Sequence, residues 1–136
     1  MMSEEYAVLD GLYYTEEHEW AKVLDDGTVA VGICDYAQKQ LHEIVYVELP
    51  EVESDAEYNG VIGAVESVKA VSDMNSPVSG TIVEVNEELL DSPELINEDP
   101  YGKGWIAKIK PSDLDGDLLN LMDSVKYTGF VAEAAH

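Results

Sequence analysis

The sequence contains no arginine and only seven lysines, against 29 aspartate and glutamate residues, which gives a formal net charge of −22. Proteins that bind nucleic acids or anionic membrane surfaces contact phosphate groups with clustered Lys and Arg side chains, which this chain lacks. No apolar run approaches the roughly 20 residues that a membrane span requires. The composition therefore predicts no nucleic-acid partner and no membrane partner.

Cysteine occurs once, as Cys34, which excludes an intramolecular disulfide and favours a reducing compartment. The first ten residues carry two glutamates and lack the basic and apolar regions of a signal peptide. The chain also has none of the arginines that are typical of a transit peptide. We expect a cytoplasmic location if the protein is bacterial, and the mitochondrial matrix if this is the mature form of a eukaryotic protein.

Residue sets that commonly bind metals or act as nucleophiles are scarce. The histidines His18, His42 and His136 do not have metal-ligand spacing with one another or with Cys34, so no metal site is predicted. Cys34 and His42 lie eight residues apart and could pair as nucleophile and base. A partly buried, unreactive thiol at the end of a strand is the favoured interpretation.

Hydrophobic residues make up 46% of the chain, enough for one modest core at a length of 136 residues. They occur in short β-rich runs separated by turns, which is typical of a small sandwich or barrel rather than of βαβ units. We predict one domain over residues 1–136, with flexible ends at 1–10 and 129–136. The predicted strands span residues 20–24, 28–33, 45–49, 61–68, 81–85 and 105–109, the first two joined as a hairpin.

Helical patterns are few. A short helix is predicted over residues 36–42 with Asp35 as its N-cap, and a single turn over residues 94–96. Near the C-terminus, Ser112 or Asp113 could cap a longer helix whose apolar stripe would pack on the β core. That stripe consists of Leu114, Leu118, Leu121 and Val125.

Lys69 stands out because it lies between two apolar β runs and is followed by small and polar residues. A lysine at the tip of a β-turn would project into solvent, where its amine could be acylated without disturbing the core. The attached group would then swing on the long side chain, as a group carrier requires. An ordinary solvated lysine in a turn is the alternative, and position alone does not separate the two interpretations.

The residues around Lys69 resemble a known motif. Residues 65–70, Val-Glu-Ser-Val-Lys-Ala, followed by residues 76–80, Ser-Pro-Val-Ser-Gly, resemble the lipoylation motif of the glycine cleavage system H protein family. The resemblance runs from about Leu12 to about Tyr127. Four further stretches agree with the family in order and spacing, namely residues 14–20, which end in His-Glu-Trp, and residues 31–38, 45–50 and 94–105.

Two positions depart from the family pattern. Cys34 stands where Thr is common, and His42 stands where Gly is usual at the end of a helix. Because Gly there suits a left-handed backbone, we expect His42 to adopt that conformation with some strain. Biotin carriers would show Met-Lys-Met, and lipoyl domains of 2-oxo-acid dehydrogenases usually show Asp-Lys-Ala beside a flexible linker. Neither pattern is present.

The resemblance implies a β-rich α+β fold, a lipoyl-domain-like barrel-sandwich hybrid of two small antiparallel sheets with short helices and a C-terminal helix. It also implies a monomeric carrier that is not itself an enzyme. Lys69 would hold lipoic acid in amide linkage, with Glu66, Ser67, Val68 and Ala70 completing the motif.

The family's partners follow from the same resemblance. A pyridoxal-phosphate glycine decarboxylase would load an aminomethyl group, a tetrahydrofolate-dependent aminomethyltransferase would remove it, and an FAD-containing dihydrolipoyl dehydrogenase would reoxidise the dithiol. Lipoyl-attaching enzymes would modify Lys69. An alternative role is a relay that donates lipoate to other complexes. The acidic surface could steer basic partners or reflect adaptation to high salt.

The resemblance further implies that the loaded arm folds back onto the protein. Glu19, the acid of the His-Glu-Trp stretch, would contact the arm, and Ser72 and Asp73 are weaker candidates. A carboxylate there would hold a protonated amine by a charge-assisted hydrogen bond. The alternative interpretation is that Glu19 is a surface acid beside a structural Trp20.

Overall fold

The computed structural model of the protein describes residues 6–134. The predicted flexible ends therefore lie partly outside the described residues, at 1–5 and 135–136. In the described part of the N-terminal end, the Ala7 N–H donates to Asp35 Oδ2 at 2.8 Å, and the Ala7 carbonyl accepts from the Tyr101 hydroxyl at 2.6 Å. Residues 129–134 belong to the last helix, in which Val131 is buried. Both described portions of the ends are thus packed against the domain.

Within residues 6–134, nine strands form two antiparallel sheets that face each other across the main core, and neither sheet closes into a barrel. The six-stranded sheet has the order β1-β2-β3-β9-β8-β5, and the three-stranded sheet has the order β4-β6-β7. The predicted fold class is confirmed. The strands are β1 Tyr13–Tyr14, β2 Glu19–Val23, β3 Val29–Ile33, β4 Ile44–Glu48, β5 Asp55–Ala56, β6 Val61–Ser67, β7 Val71–Asn75, β8 Gly80–Val85 and β9 Ala107–Pro111.

All six predicted strands are present, although β9 begins two residues later than expected. The three strands that the hydrophobic pattern did not predict are β1, β5 and β7. Two of them have only two residues each. The third, β7, is an edge strand whose sequence is Val-Ser-Asp-Met-Asn, and only Met74 in it is buried. A strand that buries one side chain leaves little apolar periodicity in the sequence.

The described residues contain five helices. The predicted helix over 36–42 is confirmed one residue earlier, with Cys34 rather than Asp35 in the N-cap position. The predicted turn at 94–96 begins at Leu95. The helices are α1 Asp35–Leu41, α2 Glu88–Asp91, α3 Leu95–Glu98, α4 Leu114–Leu118 and α5 Ser124–Ala134.

The prediction of a single C-terminal helix with one apolar stripe is wrong, because the segment forms two helices, α4 and α5. Between these helices the Tyr14 N–H donates to the Met122 carbonyl and the Met122 N–H donates to the Tyr14 carbonyl, with nitrogen–oxygen distances of 2.8 and 2.9 Å. This backbone pairing extends the edge of the six-stranded sheet. A residue that pairs with a strand is extended and cannot continue a helix. Val125 is consequently exposed, and Tyr127 and Val131 are the buried residues of α5.

A second core lies beneath α5, around Trp20. The Tyr14 and Tyr127 rings stack at 4.4 Å, and the Trp20 indole N–H donates to the Pro100 carbonyl at 3.0 Å. Gly32 lies opposite Trp20, and a Cβ at Gly32 would be 2.8 Å from the indole ring. The glycine therefore leaves room for the ring that fixes β2.

His42 adopts φ 66° and ψ −146° immediately after α1, so the expected positive φ is confirmed. The ψ value places it outside the left-handed helical region, close to a region that is almost confined to glycine. Two hydrogen bonds hold it there: its N–H donates to the Gln38 carbonyl at 2.9 Å, and its carbonyl accepts from Asn97 Nδ2 at 2.7 Å.

Candidate functional site

Lys69 lies in the turn that joins β6 to β7. The Ser67 N–H donates to the Ala70 carbonyl at 2.8 Å, and the Ala70 N–H donates to Ser67 Oγ at 3.2 Å. Ser67 is buried, whereas Val68, Lys69 and Ala70 are exposed. Neither Val68 nor Lys69 has a positive φ, so the turn does not need glycine at either central position. The structure thus places the lysine at the exposed tip of a closed hairpin.

The hairpin is joined to the rest of its sheet through β6, the central strand, which pairs with β4 on one side and β7 on the other. Val65 and Ser67 point into the core, and Glu66 lies on the outer face of the sheet. Gly63 is packed against the carbonyl of Glu48 on β4, and a side chain at Gly63 would collide with that carbonyl. The turn is therefore anchored to the sheet through its central strand.

The Lys69 side chain fits a covalently attached acyl group. Neither of the two ion pairs found within residues 6–134, Lys39–Asp35 and Lys108–Glu84, involves it. Its neighbours in the turn are an exposed valine and an exposed alanine, which leave the amine accessible. Loss of the amine's charge on acylation would break no contact of the folded chain.

Glu19 is buried, with 1% of its surface exposed, so the interpretation of this residue as a surface acid is wrong. Its Oε1 accepts from the Thr15 hydroxyl at 2.6 Å, and its Oε2 accepts from the Asn75 N–H at 2.9 Å. Burial raises the pKa of the Glu19 carboxyl to about 7, against an ordinary value of 4.5. The side chain connects β2 of the six-stranded sheet to β7 of the other sheet.

Ser72 and Asp73 are both exposed on β7, but they lie on opposite faces of the sheet. Ser72 is opposite Val65, whose side chain is buried, and Asp73 is opposite Ala64 on the outer face. Successive residues of a strand point to opposite sides, so the two cannot contact one group together. The hydrogen bonds of the Glu19 carboxylate go to Thr15 and Asn75, and to neither Ser72 nor Asp73.

Cys34 is fully buried at the end of β3, and burial raises the pKa of its thiol. His42 is exposed at the opposite end of α1, about 12 Å away along the helix axis. The two residues therefore do not form a nucleophile pair. The thiol contacts the Tyr127 hydroxyl, which also shares a 2.8 Å hydrogen bond with His18 Nδ1.

Within residues 6–134, no group of three or more His, Cys, Asp or Glu side chains has an arrangement that could hold a metal ion. The same residues include no helix with the length and apolar character needed to cross a membrane.

The chain matches the glycine cleavage H-protein family over residues 12–134. It belongs to that family. A probable glycine cleavage system H protein from Pyrococcus abyssi is 64% identical over 127 residues, covering 93% of this chain and 94% of the relative. A glycine cleavage system H protein from Coprothermobacter proteolyticus is 52% identical over 126 residues, covering 93% of this chain and 98% of the relative.

A solved structure agrees with the fold. The crystal structure of a glycine cleavage system H protein from Mycobacterium marinum has a TM-score of 0.82 and 38% identity, covering 90% of this chain and 97% of that chain. The resemblance stated from the sequence is confirmed. H proteins are the carrier component of the glycine cleavage system, and the predicted function is confirmed at that level.

The sequence did not reveal the residues that surround the predicted ones. Thr15 and Asn75 bind Glu19 from positions 4 residues before it and 56 residues after it. Tyr46 and Val71 flank Glu66 on neighbouring strands. The sequence could have placed Tyr46 and Val71 beside Glu66 only if the pairing of β7 with β6 had been predicted. That prediction would have required β7, a largely polar edge strand, to be recognised as a strand.

Proposed function

We propose that Lys69 is the lipoyl attachment residue and that the protein carries the group between the active sites of the glycine cleavage system. The supporting observation is an exposed lysine, outside both ion pairs of the described chain, at the tip of a hairpin whose backbone is fixed by Ser67. When attached, the lipoyl group supplies a dithiol that can be loaded and reoxidised. The protein contributes position and catalyses no step itself.

The residues of the turn present the amine to an attaching enzyme. Ser67 fixes both ends of the turn, so the backbone at Val68 and Lys69 has one geometry before any partner binds. Val68 and Ala70 flank the lysine with small uncharged side chains that need no desolvation of charge on contact. Glu66, three residues before Lys69, adds a negative charge on the outer face of the sheet.

The partners are those of the family's reaction: the pyridoxal-phosphate glycine decarboxylase, the tetrahydrofolate-dependent aminomethyltransferase, the FAD-containing dihydrolipoyl dehydrogenase and the lipoyl-attaching enzymes. All must reach the same residue, Lys69. The net charge of −22 favours encounter with basic surfaces around their active sites. The bacterial and archaeal relatives favour the cytoplasm as the location.

The arm is proposed to lie along β7. Asp73 is exposed four residues beyond Lys69, and Glu19 binds the backbone of Asn75 six residues beyond it, about 20 Å along the strand. At about 1.2 Å per bond, an extended chain of roughly 16 bonds spans that distance. A lysine side chain with an eight-carbon acyl group has nearly that number of bonds. Asp73 is directly accessible, whereas contact with Glu19 requires Thr15 or Asn75 to be displaced.

The attachment residue is tested by the intact mass of the natively expressed protein, with the modified peptide localised. Lys69→Arg keeps the charge but has no primary amine for an amide bond, so it is expected to fold normally and gain no lipoyl mass. Lys110→Arg, at an exposed lysine of β9, is the matched control and is expected to be modified like the natural chain. Lipoate on another lysine, or carrier activity of Lys69→Arg, would disprove the assignment.

A further inference from the structure

The histidine of the β1–β2 connection, residues 15–18, is joined to the C-terminal helix by a hydrogen bond. His18 Nδ1 and the Tyr127 hydroxyl of α5 share this bond at 2.8 Å. The imidazole also lies against the rings of Tyr36 and Phe130, at centroid distances of 4.5 and 5.6 Å. Burial lowers the pKa of His18 and raises the pKa of Tyr127, so a neutral imidazole and an uncharged phenol form the bond. The connection is thus fixed to α5 through a side chain.

The backbone of the connection is strained at His18, which has a φ of 69°. A residue other than glycine keeps a positive φ only where the surrounding contacts hold it there. The His18 N–H donates to the Thr15 carbonyl at 3.1 Å, and the His18 carbonyl accepts from the Cys34 N–H at 2.8 Å. The bond to Tyr127 adds a side-chain contact to these two backbone contacts.

The same connection orients the Glu19 carboxylate through Thr15. The Thr15 hydroxyl donates to Glu19 Oε1 at 2.6 Å and accepts from the Glu19 N–H at 3.0 Å. Thr15 is buried, so these bonds are sheltered from water. Because His18 is bonded to the carbonyl of Thr15, a shift of His18 would displace the hydroxyl that faces the carboxylate. A continuous series of contacts therefore leads from Tyr127 through His18 and Thr15 to Glu19.

We propose that His18 is a positioning residue for Glu19: its bond to Tyr127 of α5 holds the strained connection in the geometry that places the Thr15 hydroxyl on the Glu19 carboxylate. With Oε1 bound to Thr15, the carboxylate directs Oε2 towards β7, where it accepts from the Asn75 N–H. The consequence for the carrier rests on the proposed function, in which the arm lies along β7. The C-terminal helix thereby determines which oxygen of Glu19 faces that strand.

The pKa of Glu19 reports on the bond from Thr15. That hydroxyl lowers the pKa because it donates to the ionised carboxylate, whereas burial raises it. Glu17 of the same connection also raises the pKa by charge repulsion, and the Cys34 thiol at the end of β3 is a further titratable group that interacts with the carboxyl. Loss of the Thr15 bond while the site stays buried therefore raises the pKa of Glu19 further.

The test is an NMR titration of the Glu19 carboxyl carbon in the full-length chain, with the signal assigned by its absence in Glu19→Gln. Thr15→Val removes the hydroxyl directly and is expected to raise the Glu19 pKa by about one pH unit. Tyr127→Phe removes the hydroxyl that binds His18 and is expected to raise it by about half a pH unit. Tyr36→Phe, which removes a hydroxyl from another ring that contacts His18, is the matched control and is expected to leave the pKa unchanged.

Two substitutions of His18 separate the side-chain bond from the strain of the backbone. His18→Ala loses the bond to Tyr127 and keeps the unfavourable positive φ, so it is expected to raise the Glu19 pKa at least as much as Tyr127→Phe does. His18→Gly loses the same bond, but glycine adopts a positive φ without strain. The Glu19 pKa of His18→Gly is expected to lie closer to that of the natural chain than to that of His18→Ala.

An unchanged or lowered Glu19 pKa in Tyr127→Phe would overturn the positioning role, and so would an equal rise in Tyr36→Phe. Equal pKa values in His18→Ala and His18→Gly would overturn backbone strain as the reason that the bond is needed. Tyr127→Phe keeps the buried ring, so the test does not depend on the folding of the histidine variants. Failure of the proposed function looks different: the natural chain would lack lipoyl mass on Lys69, while the Glu19 shifts stayed as expected.

Discussion

Replacing Glu19 with Gln is expected to change how the stability of the protein depends on pH. The Glu19 carboxyl is buried between the two sheets, and burial raises its pKa to about 7 from an ordinary value of 4.5. The folded state therefore binds this proton more tightly than the unfolded state does between pH 4.5 and 7. The contribution of Glu19 to stability is fully present below pH 4.5 and is lost as pH rises through 7.

The size of the effect follows from the two pKa values. A single group with these values lowers the free energy of unfolding by about 2.5 kcal/mol between pH 5 and pH 8. Glutamine has a similar shape, and its amide oxygen can accept from the Asn75 N–H while its amide N–H donates to Thr15 Oγ1. The Glu19→Gln variant should lack this pH-dependent component and should be more stable than the natural chain at pH 8.

Urea unfolding at pH 5, 6, 7 and 8 measures the free energy of unfolding for both proteins. Glu16→Gln, which alters an exposed glutamate in the connection between β1 and β2, controls for the loss of one negative charge. The difference between Glu19→Gln and the natural chain should grow with pH, whereas that for Glu16→Gln should stay nearly constant. Parallel stability profiles for the natural chain and Glu19→Gln would refute the reasoning.

Three further predictions concern strain, packing and charge. His42→Gly should raise the free energy of unfolding by about 1 kcal/mol in denaturant titrations, because glycine adopts φ 66° and ψ −146° without steric strain. Asn59→Gly, at φ 64°, is the comparison and should raise the free energy of unfolding by less. Gly32→Ala should lower it by about 1–3 kcal/mol through collision with the Trp20 ring, and unchanged stability with unchanged indole fluorescence would contradict that contact. The rate at which the decarboxylase loads the lipoylated protein should fall as ionic strength rises, and a flat rate in stopped-flow measurements would favour salt adaptation over steering as the origin of the −22 charge.

The sequence by itself determined the features that are local in the chain. Six strands followed from short runs of apolar residues, because such runs depend on neighbours within a few positions. The local pattern also located α1 to within one residue, although it assigned the N-cap to Asp35 rather than to Cys34. The lysine of the β6–β7 turn was identified from its flanking residues and the family motif. The positive φ of His42 followed from the glycine that the family has at that position.

Only the tertiary structure decided what depends on distant segments. Glu19 is a buried link between the sheets because Asn75, 56 residues away, donates to it, and no periodicity in the sequence encodes that contact. The break between α4 and α5 arises because the backbone of Met122 pairs with that of Tyr14. The pattern of apolar side chains does not predict such a backbone interaction. The row of Tyr46, Glu66 and Val71 exists because β7 pairs with β6, and strand pairing brings side chains together regardless of their separation along the chain.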